Sequence, residues 1–249
     1  MGTLLGPLVF LAMIIDTKPS TNNPHWKYVD DLNMGEVRTV TTPSNLQTDL
    51  DSLDTWADQN SMLLNPKKRK AKHFCFMRTP PVMPPLTLGG QTLNIVTQAK
   101  LLGLHIRSDL CWSDQVDAMV SKGSRRLYLL SRLRRAGLPR SDLITVYYGY
   151  IRPTLEYATP CWNAGLTKRQ SDGIERIQKR ACRIIMGRQY LSYSDGLVIL
   201  DLQRLSERKG LCPCSHQISK TRPLAISSSK QIIQHATQAH PALQTVYWD

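Results

Sequence analysis

The 249-residue chain is 41% hydrophobic and 20% charged, a balance that excludes wholesale disorder and suits one or two domains with a real core. Its 32 Lys and Arg outnumber 19 Asp and Glu, a formal net charge of +13, which points to a polyanionic partner, nucleic acid before an acidic membrane. The 6 cysteines are too scattered for a disulfide scaffold, so reduced thiols in an intracellular protein, cytoplasmic or nuclear and not secreted, are expected.

The opening stretch MGTLLGPLVFLAMIID lacks the basic region and cleavage site of a signal peptide and is too short to span a bilayer, so no membrane partner is expected. It reads as a helix over roughly Pro7 to Ile15, with proline in its first turn. Being apolar all round, that helix is expected to be buried. A polar loop, DTKPSTNNP, leads to two short strands, WKYV and LNMGE, on either side of Asp30 and Asp31. From Thr42 the period changes. Leu46, Leu50, Leu53, Trp56 and Ala57 recur at helical steps, with Ser44 as the candidate cap. A basic stretch then enters a strand at His73 to Met77, and RTPPVMPP is a loop. LTLGGQTLNIV alternates around Gly89-Gly90 as a hairpin does, and AKLLGLHIRSDLCW gives a further strand.

From Ser113 the pattern is mainly helical, in three long stretches that break at Gly137-Leu138-Pro139, near Asn163-Ala164-Gly165 and at Gly187. Two short helices, near Asp195 to Leu200 and Leu202 to Lys209, precede a polar, weakly periodic tail. Cys212, Cys214 and His216 in that tail fit no standard zinc spacing. The expected fold class is α+β: antiparallel hairpins packed on helices over 1–112, a helical region over 113–212, and a loosely ordered tail over 213–249. The helical region carries basic faces, Arg125, Arg126, Arg132, Arg134 and Arg135 on one helix and Lys179 and Arg180 on another. Such faces are either solvated surface or a groove that tracks phosphates.

Two adjacent carboxylates repel each other and resist burial unless a cation joins them. Asp30 and Asp31 therefore form an exposed turn or hold a metal. Hard oxygen ligands at the tip of a hairpin suit Mg²⁺, which takes a few carboxylates together with substrate phosphates.

The ordered neighbours GTLLGPLVF, YVDDL, LNPKKRKAKHFCF and LLGLHIRSDLCW, followed by LPRSDLITVYYGYIRPTLEYATPCWNAGLTK and IERIQKRACRIIMG, resemble the reverse transcriptases of non-LTR (LINE-like) retrotransposons. The resemblance covers about residues 2 to 210 and implies a partial polymerase palm followed by a helical thumb-like region. It implies RNA-templated DNA synthesis from an RNA template, a DNA primer and deoxynucleoside triphosphates, with two Mg²⁺ ions. Carried over residue by residue, Asp30 is the metal ligand, Asp31 beside it the weaker ligand, and Tyr28 lies near the primer end. Gly2 and Gly6 let backbone approach nucleotide and template. Lys68, with Lys70 second, comes near the phosphates, where it can protonate the leaving pyrophosphate or offset its charge. The alternative for these lysines is a solvated basic loop.

The sequence also departs from the family pattern. Nothing in it corresponds to the fingers or to the preceding palm strand with its own metal-binding Asp, and two-metal chemistry needs that third carboxylate. The expectation is thus an incomplete polymerase, inactive alone, with unpaired strand edges and exposed apolar surface. The alternatives are a non-enzymatic nucleic-acid-binding remnant and a helical module that docks a protein.

Overall fold

The computed structural model describes residues 5–39, 42–65, 68–78, 82–208 and 242–248. The fold is α+β, and the chain divides into two compact units: 1–102 with 107–109 and 224–249, and 103–106 with 110–223.

The first unit is a five-stranded sheet backed by a helix. Strands β1 (His25–Tyr28) and β2 (Asp31–Arg38) make the expected hairpin, with Trp26 opposite Asn33 and Tyr28 opposite Asp31. After helix α2 (Leu46–Gln59) comes strand β3 (Arg69–Phe74), a few residues earlier than the sequence pattern suggests. The Gly89-Gly90 hairpin forms as expected from β4 (Thr87–Leu88) and β5 (Gln91–Thr92), both glycines having positive φ. Strand β6 (Asn94–Ile95) then adds to β3 in parallel. Leu46, Leu50 and Leu53 of α2 pack on Met34 and Ala71 of the sheet and on Leu88, all nearly inaccessible to solvent. Strands β7 (Gln98–Leu101) and β8 (Leu104–Arg107) lead out of this unit.

Two expectations change here. The first helix forms, as α1 (Leu5–Ile14), but it is not buried: Leu8 is 63% exposed and Leu5, Val9, Leu11 and Met13 are exposed with it. A helix that is apolar all round can bury only the stripe that meets a neighbour, and the rest of its surface faces solvent. The second change concerns the tail. Residues Ala242–Trp248 form strand β9, which lies between β2 and β3 in the sheet order β1-β2-β9-β3-β6 and runs antiparallel to both. The expected open edge of the β1–β2 hairpin is therefore paired. The sequence ALQTVYW contains the β-branched and aromatic types that favour strands. The expectation for Cys212, Cys214 and His216 falls outside the described residues.

The second unit is helical. Helix α3 (Ser113–Arg135) buries one seam, Val116, Met119, Gly123, Leu127 and Leu130. Next come α4 (Arg140–Val146), a π-helical turn over Tyr147–Ile151, α5 (Arg152–Glu156) and α6 (Thr159–Trp162). The expected single long helix is thus broken. Pro153 has no N–H for the carbonyl one turn back, and the wider π turn absorbs the mismatch. A second break falls at Ala158, whose φ is +50°. Helix α7 (Lys168–Met186) starts at a capping box, Gln170 N–H donating to Thr167 Oγ1 at 3.3 Å and Thr167 N–H to Gln170 Oε1 at 2.8 Å. Helices α8 (Tyr193–Ile199) and α9 (Leu205–Arg208) follow.

Helices α3 and α7 run side by side in the same direction, with Val120 facing Gly173, Gly123 facing Ile177, and Arg134 against Gly187. Gly123 permits the close approach: a Cβ there would lie 3.1 Å from Ile177 and 3.2 Å from Leu155. Beneath them Gln178 is buried and fully used. It accepts from the Tyr147 hydroxyl at 2.6 Å and donates to Tyr193 Oη at 3.0 Å and the Gln203 carbonyl at 2.8 Å.

Candidate functional site

The aromatic-Val-Asp-Asp run folds as a tight hairpin turn with Val29 and Asp30 at its tip. Val29 takes a φ of +55°, a left-handed conformation that a β-branched side chain adopts only under strain of about 1–3 kcal/mol. Asp30 follows in the turn, and Asp31 is already the first residue of β2, paired with Tyr28. The two carboxylates thus occupy different positions, one at the tip and one in the ladder. Tyr28 ends β1 half exposed.

Beside the turn lies a cavity of about 510 Å³. Phe10, Met13, Leu32, Leu53, Trp56 and Leu64 form apolar walls, and both Asp30 and Lys68 line it. Neither charged group has a hydrogen bond or ion pair among the described residues. The expected carboxylate and the first-choice lysine therefore share one cavity without neutralising each other. Lys70, the second choice, is the second residue of β3, where its backbone pairs with Asn94 and Tyr247, and it does not line the cavity. Gly6 lies exposed on α1, also away from the cavity lining, and Gly2 falls outside the described residues.

Two buried carboxylates and one partly buried lysine fix the frame of this unit. Asp49 of α2, wholly inaccessible, accepts from Ser20 Oγ at 3.2 Å, Thr21 N–H at 2.7 Å, Thr21 Oγ1 at 2.6 Å and Asn23 Nδ2 at 2.7 Å, so it ties down the loop entering β1. Lys27 of β1 donates to the carbonyls of Ile14, Ile15 and Thr17 at 3.0, 2.8 and 2.5 Å, closing the C-terminal end of α1. Partial burial lowers its pKa from the ordinary lysine value, and Asp16 opposes that shift. Glu36 of β2 accepts from Ser44 Oγ and Asn45 N–H, both at 2.7 Å, and so places a carboxylate at the N-terminus of α2. The helix cap expected at Ser44 falls at Asn45, and Ser44 acts through Glu36 instead.

As a cation site the hairpin offers the Asp30 carboxylate in the cavity lining, whereas Asp31, its neighbour in sequence, is not among the lining residues. Among the described residues no group of three or more His, Cys, Asp or Glu comes close enough to hold a metal ion. The donor set fits one hard cation that keeps water or phosphate oxygens as its other ligands, and is too small for a two-ion clamp.

The basic residues of the second unit divide by what they touch. Arg126 stacks on the Tyr150 ring, 4.1 Å from its centre, and donates to the Tyr150 carbonyl. Arg134 donates to the Ile185 carbonyl and fills the space beside Gly187, closing the end of α7. These two arginines hold the helices together rather than standing free for phosphate. Arg125, Arg132 and Arg135 are exposed on α3, with no hydrogen-bond or ion-pair partner among the described residues. Lys179 and Arg180 are exposed on α7, and Arg180 reaches Ser124 of α3 at 3.4 Å. No helix among the described residues is long and apolar enough to cross a membrane.

The chain is 25% identical over 197 residues to the probable RNA-directed DNA polymerase from transposon BS of Drosophila melanogaster, a match over 74% of this chain. That distant relative is a transposon polymerase. The chain spans 22% of the relative's length. No family model and no solved structure matches the chain.

Sequence reasoning missed Asp49 and Lys27. Asp49 had a visible signal: it falls on the apolar face marked by Leu46, Leu50 and Leu53, where an acid must find donors, and the preceding loop is rich in Ser, Thr and Asn. Lys27 had none, because its partners are backbone carbonyls.

Proposed function

We propose that the chain is a palm-hairpin and thumb-like portion of an RNA-directed DNA polymerase of the non-LTR retrotransposon type. Its substrates would be an RNA template, a DNA primer and deoxynucleoside triphosphates. The observation that carries this reading is the shared cavity of Asp30 and Lys68, a carboxylate and an ammonium with no partner among the described residues where the resemblance calls for a metal ligand and a phosphate lysine. The distant transposon relative supports it. In nucleotidyl transfer the primer 3′ hydroxyl attacks the α-phosphorus and pyrophosphate leaves. Lys68 can offset the charge that develops on that leaving group or give it a proton. Asp30 and Asp31 would hold Mg²⁺, which when bound neutralises phosphate charge.

Binding of dTTP to the full chain, measured by calorimetry with and without Mg²⁺, tests this assignment. Mg²⁺-dependent binding that weakens about tenfold in Lys68→Ala and Asp30→Ala, and is unchanged in Lys70→Ala, is expected. Equal binding in all four proteins would remove the site. Because the described residues supply two carboxylates and no third donor, the chain alone is expected not to extend oligo(dT) on poly(rA). Extension that vanishes in Asp30→Ala would overturn that part.

The free basic row on α3 favours a second reading, nucleic-acid binding without catalysis. It predicts affinity that falls steeply with salt and survives Asp30→Ala.

A further inference from the structure

The exposed face of α3 is not uniformly basic. Ser121, Arg125, Tyr128, Arg132 and Arg135 recur at alternating four- and three-residue steps, so they form one stripe along the helix, and all are exposed. Tyr128 is the only aromatic in that stripe and is 66% exposed. Its ring has no aromatic, cationic or hydrogen-bonding partner among the described residues. The other exposed tyrosines of the neighbouring helices differ in this respect: Tyr148 and Tyr150 lie under Arg152 and Arg126.

Helix α7 borders the same stripe. Arg180 reaches Ser124, which lies one turn before Tyr128, and Arg176 on the preceding turn of α7 is exposed. A bare aromatic ring therefore stands between arginines one turn before it and one turn after it, with a second basic helix alongside. Charge complementarity selects a polyanion. The ring selects one with flat, unstacked groups at the spacing of its charges, which is single-stranded nucleic acid. A membrane surface fits less well, because the stripe has no apolar side chain besides the ring to enter lipid. Duplex offers phosphates to the arginines but keeps its bases stacked away from the ring.

We propose that Tyr128 stacks on an unpaired base and makes the α3–α7 surface a site for single-stranded nucleic acid, with Arg125 and Arg132 holding the flanking phosphates. The inference rests on the nucleic-acid reading of this surface and deepens it. It does not depend on the hairpin carboxylates.

The test is fluorescence anisotropy of the full chain with fluorescein-labelled oligo(dT) and with a blunt duplex of equal length, across a salt series. Tyr128→Ala is expected to weaken oligo(dT) binding about tenfold with the salt slope unchanged, and to leave duplex binding unchanged. Tyr128→Phe, which keeps the ring, is expected to bind as wild type. Arg132→Ala is expected to weaken both ligands and lower the salt slope by about one. Equal loss on both ligands in Tyr128→Ala, or a Phe variant as weak as the Ala variant, overturns the stacking role and leaves the basic surface standing. Failure of both ligands to bind at low salt overturns the nucleic-acid reading itself.

Discussion

Thr21 gives both its backbone N–H and its hydroxyl to the buried carboxylate of Asp49, at 2.7 and 2.6 Å. With Ser20 and Asn23 these bonds bind the loop before β1 to the first turn of α2. Hydrogen bonds to a buried charge are worth roughly 1.5–3 kcal/mol each and are strongly coupled. Asp49→Ala is expected to destabilise the first unit by roughly 2–4 kcal/mol in urea unfolding. Thr21→Val, which removes only the hydroxyl, is expected to lose about half as much.

The central position of β9 makes the first unit depend on residues 242–248. Removing them leaves facing edges of β2 and β3 open, each with unpaired backbone groups. A chain ending before Ala242 is expected to lose amide exchange protection over 33–38 and 69–74 together, while α3 and α7 keep theirs. Protection that survives in β2 and β3 would contradict the strand order.

Lys72 of β3 is 2% exposed. Burial pushes its pKa down to about 8, opposed by the Asp109 carboxylate. Below pH 8 the lysine is charged in folded and unfolded chains alike, and the folded state carries the desolvation penalty. Between about 8 and the ordinary lysine value the unfolded chain binds more protons, so stability rises with pH and then levels off. The gain is on the order of 2–3 kcal/mol. Cys182, its thiol pushed up to about 11 by burial, works in the opposite sense from its ordinary value upward. The difference between wild type and Lys72→Met, followed from pH 7 to 10.5 by urea unfolding, isolates the lysine: the larger rise is expected in wild type, the share that comes from Lys27 being common to both.

Arginines that look alike in sequence are expected to behave differently. Arg126→Ala and Arg134→Ala lose contacts to Tyr150 and to the end of α7, and are expected to lower the melting temperature with little change in salt slope. Arg125→Ala and Arg135→Ala are expected to keep stability within about 0.5 kcal/mol and to weaken oligonucleotide binding. Scanning calorimetry beside anisotropy separates the two classes.

Much of this layout was legible in local signals. The YVDD turn, the Gly89-Gly90 hairpin and the apolar seams of α3 and α7 follow from neighbours within a few residues, which is the range over which periodicity and turn chemistry act. What stayed hidden depends on distant partners. The strand register of 242–248 is set by β2 and β3, far away in the chain, and the roles of Arg125 and Arg126 part because adjacent helical residues face different neighbours. The all-apolar pattern of α1 announced burial, and its exposure followed only from the expectation that its packing partners are missing. In the hairpin itself the resemblance ranked Asp30 above Asp31 as a ligand but set both at the tip, whereas the turn holds Asp30 and the ladder takes Asp31.

The pairing of Asn33 with Tyr247 joins residues roughly 210 positions apart. During synthesis the helices of the second unit can assemble from local contacts as soon as they leave the ribosome. The sheet must wait for its middle strand, which follows the whole helical unit in the chain. Until β9 pairs, the facing edges of β2 and β3 are open to other extended chains, so misassembly of the sheet competes with folding for as long as that long loop takes to close.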